Sequence, residues 1–593
     1  MGYHDTRRGV PTGLVLGLNV LMATALLPAP TLADTGAAPA VPQVSRQELN
    51  PAGQLPPSRR RSGDLFSAPA EEACPFDDPS LKFTLTRVDV TGAKRLSPED
   101  IKDAYADLEG RQISPVDICR IRNRIAARLF HRGVLARVLI PEQQINAGVV
   151  KLKVIEAQIV TVRYQGDIGP VQAKVEAVLN HLKGLAPFDL DAAQRYLLLA
   201  NDIPGVHASA TLLHSTRAEG CAGDADGCAG ALDMVVILSR TAIEASSEVQ
   251  NLNSDTLGPW SGIARVDFNS FTALGENTSL IAYTTLGNTS QEVAQLLTSA
   301  HLGNNGLYVA GSFAYGHSNP IGVLKPLNLS GDSYVGTVEI DDPIIRLKRL
   351  SLTLGAGIDI ISQTTVYAGG GFLSDDNLRV IWARAQTRGE HDFTQPVFGF
   401  NVTTTGDLNL TVRQGLHILG ASPSGAATLS RPQGQSNAFV ARGEGNFVVR
   451  LDPVDRGVPL ILSARWQGQW ANDPLLSFEE QSLGNFTIGR GFDPNTATGD
   501  RAIAGELKTE VGPIPVIDGV RIGPYGFYDV GYSESLEAGA QDITLQSAGG
   551  GLDLQFPRRI RADLVVAVPL SKALPFATAK PPTEVLLQLV ASF

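Results

Sequence analysis

From about residue 240 to residue 593 the chain alternates apolar and polar positions with a period of two. In "LILSARWQGQW" (460–470) Leu460, Leu462, Ala464, Trp466 and Trp470 share one face, and Ser463, Arg465, Gln467 and Gln469 share the other. "AFVARGEGNFVVRL" (438–451) sets Phe439, Ala441, Phe447, Val449 and Leu451 against Arg442, Glu444, Asn446 and Arg450. "GIARVDFNSF", "LYVAGSFAY" and "SLTLGAGIDI" behave alike. Such alternation predicts β-strands. A soluble sandwich also alternates, but its strands are shorter and its apolar face points inward. Here segments of 10 to 13 residues recur between long polar loops, which predicts strands with one lipid-facing and one lumen-facing side. Positions 240 to 593 make 593 − 239 = 354 residues. At roughly 22 residues per strand and connection that is about 16 strands, the even number an antiparallel barrel needs. Counted back from the last residue, strands are expected at 583–593, 559–570, 543–556, 520–533 and 501–511.

The first half carries a different period. Residues 81–157 read β-α-α-β-β. "FTLTRVDV" (83–90) alternates as a strand, and Ser97-Pro98 starts a helix with Ile101, Ala104 and Leu108 on one face. A second helix from Pro115 spaces Ile118, Ile121, Ile125 and Leu129 by three and four and stops at Gly133. The strands "VLARVLI" and "VVKLKVIE" follow. Residues 158–239 repeat the order: strand "IVTVRYQG", a helix with Val171, Val175, Val178 and Leu182 on one face, a helix capped by Asp189, and strands "HASATLL" and "LDMVVILS". Two consecutive units of this order resemble polypeptide-transport-associated (POTRA) domains. "PEQQINAGVVKLKVIEAQI" (141–159) is similar to the end of the first such domain in two-partner secretion transporters, and "LLLANDIPG" (197–205) is similar to the second.

The ends change the picture of where the chain works. Arg7 and Arg8 precede an apolar core from Leu14 to Leu27, and "PTLAD" offers a cleavage site after Ala33, so 1–33 reads as a signal peptide. Residues 34–80 are rich in Pro and Ala and read as a linker, in which "SRQEL" (45–49) has room for a short helical plug at most. No apolar run of 18 residues follows Ala33, which excludes helical membrane spans but not a barrel. The net charge of −11 argues against nucleic acid as a partner. The four cysteines of an exported chain suggest two disulfides, paired here as Cys74–Cys119 and Cys221–Cys228. A zinc site fails on spacing, with no C-x-x-C and no histidine near either pair. No nucleophile motif, P-loop or calcium loop is found, and no cofactor or metal is expected.

The chemistry-bearing stretch is "LLSFEEQSLGNFTIGRGFDPNTATGD" (475–500), which interrupts the alternation between two strands. It resembles the loop that folds back into the pore in two-partner secretion transporters (the TpsB, hemolysin secretion/activation type) and in the wider BamA-type superfamily. The resemblance places the loop at 472–500, its Arg-Gly-aromatic tip on Arg490, Gly491 and Phe492, and its "GD" on Gly499 and Asp500. Asn485, where a second glycine is usual, and Ala502 depart from the family pattern. The F-x-D-x-G motif of the same family matches Phe527, Asp529 and Gly531. Alternation supports the match independently: Tyr528, Val530 and Tyr532 take the outer face, which turns Asp529 into the lumen as a partner for Arg490. Phe593, ending an amphipathic last strand, resembles the signal by which outer-membrane barrels are recognised for insertion. Pro141 and Gln143 in "PEQQ" are candidate client contacts or simple turn residues.

The resemblance implies two periplasmic α+β POTRA domains (81–157 and 158–239) followed by a transmembrane antiparallel β-barrel (240–593) in a bacterial outer membrane. It implies no catalysis, but a translocation pore whose POTRA domains capture an unfolded exoprotein. The other implied partners are outer-membrane lipids and the barrel-assembly machinery. An insertase of the same superfamily and a passive porin are the rival readings.

Overall fold

The computed structural model describes residues 45–51, 74, 76, 81–185, 188–215, 230–367, 371–393, 395–455, 457–573 and 577–593. The expected signal peptide and the Cys221–Cys228 pair lie outside these residues. So does most of the 34–80 linker.

The first unit contains β1 (Arg87–Thr91), α1 (Pro98–Lys102), α2 (Pro115–His131), β2 (Ala136–Leu139) and β3 (Val149–Glu156). Strand β3 is central, parallel to β1 and antiparallel to β2. Helix α2 begins where Pro115 supplies the helical φ and Asp117 accepts from the Ser114 amide at 2.8 Å. That donated amide holds the Asp117 carboxyl below its ordinary range. Ile118, Ile121, Ile125 and Leu129 are buried in one core with Val150, Leu152 and Val154 of β3. Helix α1 is shorter than the pattern suggests: it stops at Lys102, and Ala106–Leu108 forms a separate 3-10 turn. The chain must turn back there, because Gln112–Ile113 pairs with Phe83–Thr84. Cys74 is disulfide-bonded to Cys119 of α2.

The second unit repeats the plan with β4 (Gln158–Gln165), α3 (Gln172–Leu179), α4 (Leu190–Asp202), β5 (Val206–His214) and β6 (Ala231–Arg240). Here β6 is central, again parallel to the first strand and antiparallel to its other neighbour. Asp189 caps α4 by accepting from the Ala192 amide at 3.0 Å.

Sixteen strands then close into an antiparallel barrel, from β7 (Ile243–Gln250) to β22 (Glu584–Ser592). The ring closes by pairing Gln588 with Gln250 through Ser592 with Ser246. Lipid-facing positions are apolar and exposed, among them Leu280, Phe313, Ile360, Phe447, Trp466 and Val530. Strand lengths run from Ile243–Gln250 (8 residues) to Gly371–Asp392 (22 residues), a wider range than the 10 to 13 read from the pattern. A strand rising about 3.3 Å per residue needs only about 10 residues to cross the hydrocarbon layer at a tilt. The long hairpins therefore continue pairing in water beyond it.

One face of α4 mounts the second unit on the barrel. Asp202 accepts from Arg346 Nε and Nη2, both at 2.7 Å, while Arg195 Nη1 donates to the Pro343 and Ile344 carbonyls at 3.1 and 3.2 Å. Asp191 pairs with Arg349 at 2.7 Å. A Cβ on Gly306 would sit 2.5 Å from Leu199 Cδ2, so the helix lies directly on that turn. Positions 191, 195, 199 and 202 recur at helical spacing, which is why one helix face reaches all these partners. The Asp202–Arg346 pair is mostly buried, so removing the carboxylate leaves a guanidinium short of partners, at a cost of about 1–3 kcal/mol. Asp202→Ala is expected to speed protease cleavage between the second unit and the barrel while the barrel keeps its heat-modifiable gel migration. Unchanged cleavage would show that the mount does not depend on this pair.

Candidate functional site

The barrel strands β17 (Leu460–Ala471) and β18 (Arg501–Val511) are joined by residues 472–500 at the end opposite the two N-terminal units. This segment does not stand out in solvent. It folds inward, with Leu476, Phe478, Leu483, Ile488, Phe492 and Ala497 all buried. A two-stranded ribbon within it pairs Gln481 with Gly499, Ser482 with Thr498 and Leu483 with Ala497. Leu476 and Phe478 pack with lumen-facing Ile263, Ile281, Ile361 and Leu378, and Leu49 of the N-terminal segment joins that cluster. Residues 45–51 form a single turn, in which Leu49 N–H donates to the Ser45 carbonyl at 2.9 Å. Asn495 Nδ2 donates to Glu48 Oε2 at 3.4 Å and Gln295 Nε2 donates to Asn50 Oδ1 at 3.4 Å, so this turn touches both the loop and the wall.

At the loop tip the structure brings together Arg490 and Asp529. Arg490 donates from its backbone N–H at 3.0 Å, from Nε at 3.2 Å and from Nη2 at 3.0 Å to the Asp529 carboxylate. Nη2 also lies 3.0 Å from Glu506 Oε1, and the guanidinium carbon sits 3.6 Å from the centroid of the Phe527 ring. Ser547 Oγ donates to Asp529 Oδ2 at 3.3 Å. One arginine is thus held by two carboxylates and an aromatic face, and Asp529 is fully buried. Within β19 (Val520–Glu534), Phe527, Asp529 and Gly531 face inward and Tyr528, Val530 and Tyr532 face outward. A fork that satisfies a carboxylate from two nitrogens is geometry that lysine does not reproduce.

Two glycines explain how the loop comes so close to the wall. A Cβ on Gly491 would lie 2.8 Å from Ser547 Cβ and 3.1 Å from Pro569 N. On Gly531 it would lie 2.9 Å from Leu483 Cδ1. Phe492 packs with Leu483, Ile488, Ala497, Ala504 and Leu545. Asn485, one of the departures from the family pattern, donates through Nδ2 to the Leu252 carbonyl at 3.2 Å.

Of two further anchors of the loop, Glu479 was not singled out from the sequence, and Asp500 was, but without its partner Arg431. Glu479 is buried between Arg413, with Nη2 at 2.7 Å, and Arg442, with Nη2 at 2.8 Å. Arg413 is also 2.9 Å from Asp359. Asp500, the last residue of the "GD", accepts from Arg431 Nη1 at 2.5 Å and Nη2 at 3.1 Å. It also accepts from the Leu475 and Leu536 amides at 2.7 and 2.6 Å. Arg413 and Arg442 sit on the polar side of the strand alternation, a signal that they face the lumen. Arg431 lies in the irregular segment 416–438, where periodicity says nothing about direction.

The other candidates sit apart from this site. Pro141 lines a cavity of about 590 Å³ on the first unit, beside β1 and α1. Gln143 spends both ends of its amide on Lys151, donating to its carbonyl at 2.8 Å and accepting from its N–H at 2.6 Å. Phe593 exchanges backbone hydrogen bonds with Ala245 and its side chain is exposed. Clusters of three or more His, Cys, Asp or Glu side chains suited to a metal ion do not occur among the described residues.

Gly491→Ala is expected to lift the tip off the wall, since neither the Ser547 Cβ nor the Pro569 backbone can move away cheaply. A cysteine placed at buried Ala497 then reacts faster with a membrane-impermeant maleimide than it does in the parent loop. Equal labelling rates would mean that the tip tolerates the methyl group.

Known proteins match this architecture. A family model described as haemolysin secretion/activation protein ShlB/FhaC/HecB matches residues 235–556, and a POTRA domain of ShlB type matches residues 83–157. The heme/hemopexin transporter protein HuxB of Haemophilus influenzae (strain 86-028NP) is 27% identical over 168 residues, which are 27% of this chain and 29% of that protein. The chain thus aligns with less than a third of the length of that relative. Among solved structures, CdiB from Escherichia coli superposes with a TM-score of 0.61 at 17% identity, covering 90% of this chain and 94% of that one. CdiB from Acinetobacter baumannii gives a TM-score of 0.55 at 14% identity, covering 87% and 91%. At these identities the two structures speak to the fold alone. The family model spans more than half of the sequence, and the chain belongs to the haemolysin secretion/activation (ShlB/FhaC/HecB) family of outer-membrane β-barrels with periplasmic POTRA domains.

Proposed function

We propose that the chain is the outer-membrane pore of a two-partner secretion system, exporting an unfolded exoprotein rather than catalysing a reaction. The observation that carries this reading is a closed barrel whose lumen is filled by its own loop, held at the tip by Arg490 on Asp529 and Glu506. A porin serving only as a diffusion channel has no use for such a lock, nor for two docked α+β units.

In this reading the POTRA units receive the client as it emerges in the periplasm. Strands β2 and β5 are each the outer strand of a three-stranded sheet. An edge strand binds an extended chain through main-chain hydrogen bonds with little demand on sequence, which suits an unfolded client. The barrel-assembly machinery and outer-membrane lipids are the partners of its biogenesis. Folding of the client outside the cell would supply the drive.

Arg490→Ala strands two carboxylates in the lumen wall; breaking a buried pair from one side costs about 3–5 kcal/mol, and less where water enters. The variant is expected to insert normally and to lose most secretion, with Asp529→Asn giving the same phenotype. Both are read by immunoblotting the culture medium for the large exoprotein that disappears when the gene is deleted. Unimpaired secretion by both variants would overturn the role of the pair. A loss of all outer-membrane proteins on deletion would replace the transporter reading with an insertase.

A further inference from the structure

Arg431 is a single guanidinium facing three carboxylates on two different loops. Nη1 lies 2.5 Å from Asp500 Oδ1 and 3.2 Å from Glu480 Oε1, and Nε lies 3.4 Å from Glu537 Oε2. Nη1 also donates to the Leu475 carbonyl at 2.8 Å and Nη2 to Ser535 Oγ at 2.7 Å. Arg431 belongs to the outer segment 416–438, Glu480 and Asp500 to the two roots of the pore loop, and Glu537 to the outer turn after β19. The side chains of Arg431 and Asp500 are 9% and 0% exposed, so this is a desolvated knot rather than a surface pair.

The three anchors divide the work along the loop. Glu479, between Arg413 and Arg442, fixes the incoming arm to the wall. Arg490 fixes the tip. The outgoing arm, from the tip to β18, is held at its end by Asp500 and hence by Arg431. Seven positions separate Leu483, where the incoming strand of the ribbon ends, from Arg490, enough chain to reach roughly 23 Å when extended. The tip can therefore swing free while the root ribbon stays in the mouth. Taking Arg431 away does more than delete hydrogen bonds, because Glu480, Asp500 and Glu537 are left together without their cation, and like charges in a partly dry site repel strongly.

We propose that Arg431 is a positioning residue that latches the pore loop from the outer face of the barrel, independently of the Arg490 lock, so that the outgoing arm leaves the lumen only when both are released. Segment 416–438 is then the handle of the closed state. The inference takes from the transporter reading only that residues 472–500 close the pore.

The test is the conductance of the full-length protein in planar bilayers, for parent, Arg431→Gln, Arg490→Ala and the double variant, each first checked for heat-modifiable migration. Arg431→Gln alone is expected to raise the open fraction by about tenfold, the ratio that corresponds to about 1.4 kcal/mol. The double variant should raise the open fraction by about the product of the two single effects, as two independent restraints require. Adding Glu480→Gln and Glu537→Gln to Arg431→Gln should move the open fraction back toward the parent, which loss of a merely structural residue would not allow. Arg431→Gln barrels that conduct like the parent, or a double variant no more open than Arg490→Ala, would overturn the latch. Secretion is assayed on the same strains. Conductance that rises as expected in a strain with no secreted client would leave the latch standing and remove the transporter reading, whereas unmoved conductance with secretion lost in Arg490→Ala would do the reverse.

Discussion

A backbone amide left without a partner in hydrocarbon costs several kcal/mol, and the whole molecule is arranged around that penalty. Strands that cross a bilayer must close into a ring, and here the ring closes by pairing β22 with β7. A ring of sixteen strands is too wide for its own side chains to fill. The lumen must then be water, a leak, or protein. This chain fills it with the segment 472–500 and the turn at 45–51, packed against apolar side chains of the inner wall.

The way it is held suits something that has to let go. Apolar packing alone would keep the loop in place, and Phe492, Leu483 and Ile488 contribute such packing. Yet the three anchors are ion pairs: Arg490 with Asp529 and Glu506, Glu479 with Arg413 and Arg442, and Asp500 with Arg431. Buried ion pairs add little net stability over apolar residues of similar size, because desolvation offsets most of the attraction. They do impose one geometry, and they are strongly unfavourable when half-broken. Once separated in a wet lumen, each partner is readily solvated. The closed state is therefore specific without being deep.

How much of this the sequence discloses depends on whether a residue sits on a periodic element. Asp529 is legible because Tyr528, Val530 and Tyr532 alternate with it on one strand, and burial follows the same division. The last five strands end within a residue or two of their expected bounds for the same reason. Arg431 is not legible, since 416–438 has no period, and its partners lie 49, 69 and 106 positions away at Glu480, Asp500 and Glu537. Helix α1 was over-long in the pattern because apolar spacing cannot see that the chain must return to pair Gln112 with Thr84. Gln143 reads in sequence as a client contact or a turn residue, and periodicity does not show that its amide closes on Lys151.

The two jobs of the barrel fall on different parts of its wall. Helix α4 bears on the turn after Tyr308's neighbour strand and on the hairpin that carries Arg346 and Arg349, both in the first half of the barrel. The turn at 45–51 leans on the same half through Leu49 and Gln295. The tip lock instead uses β18, β19 and β20 (Ile543–Phe556) in the second half. A load applied through the POTRA units therefore reaches strands that do not carry Asp529, Glu506 or Ser547. The loop can rearrange on its own wall while the mount stays seated, because the side chains that hold one are not the side chains that hold the other.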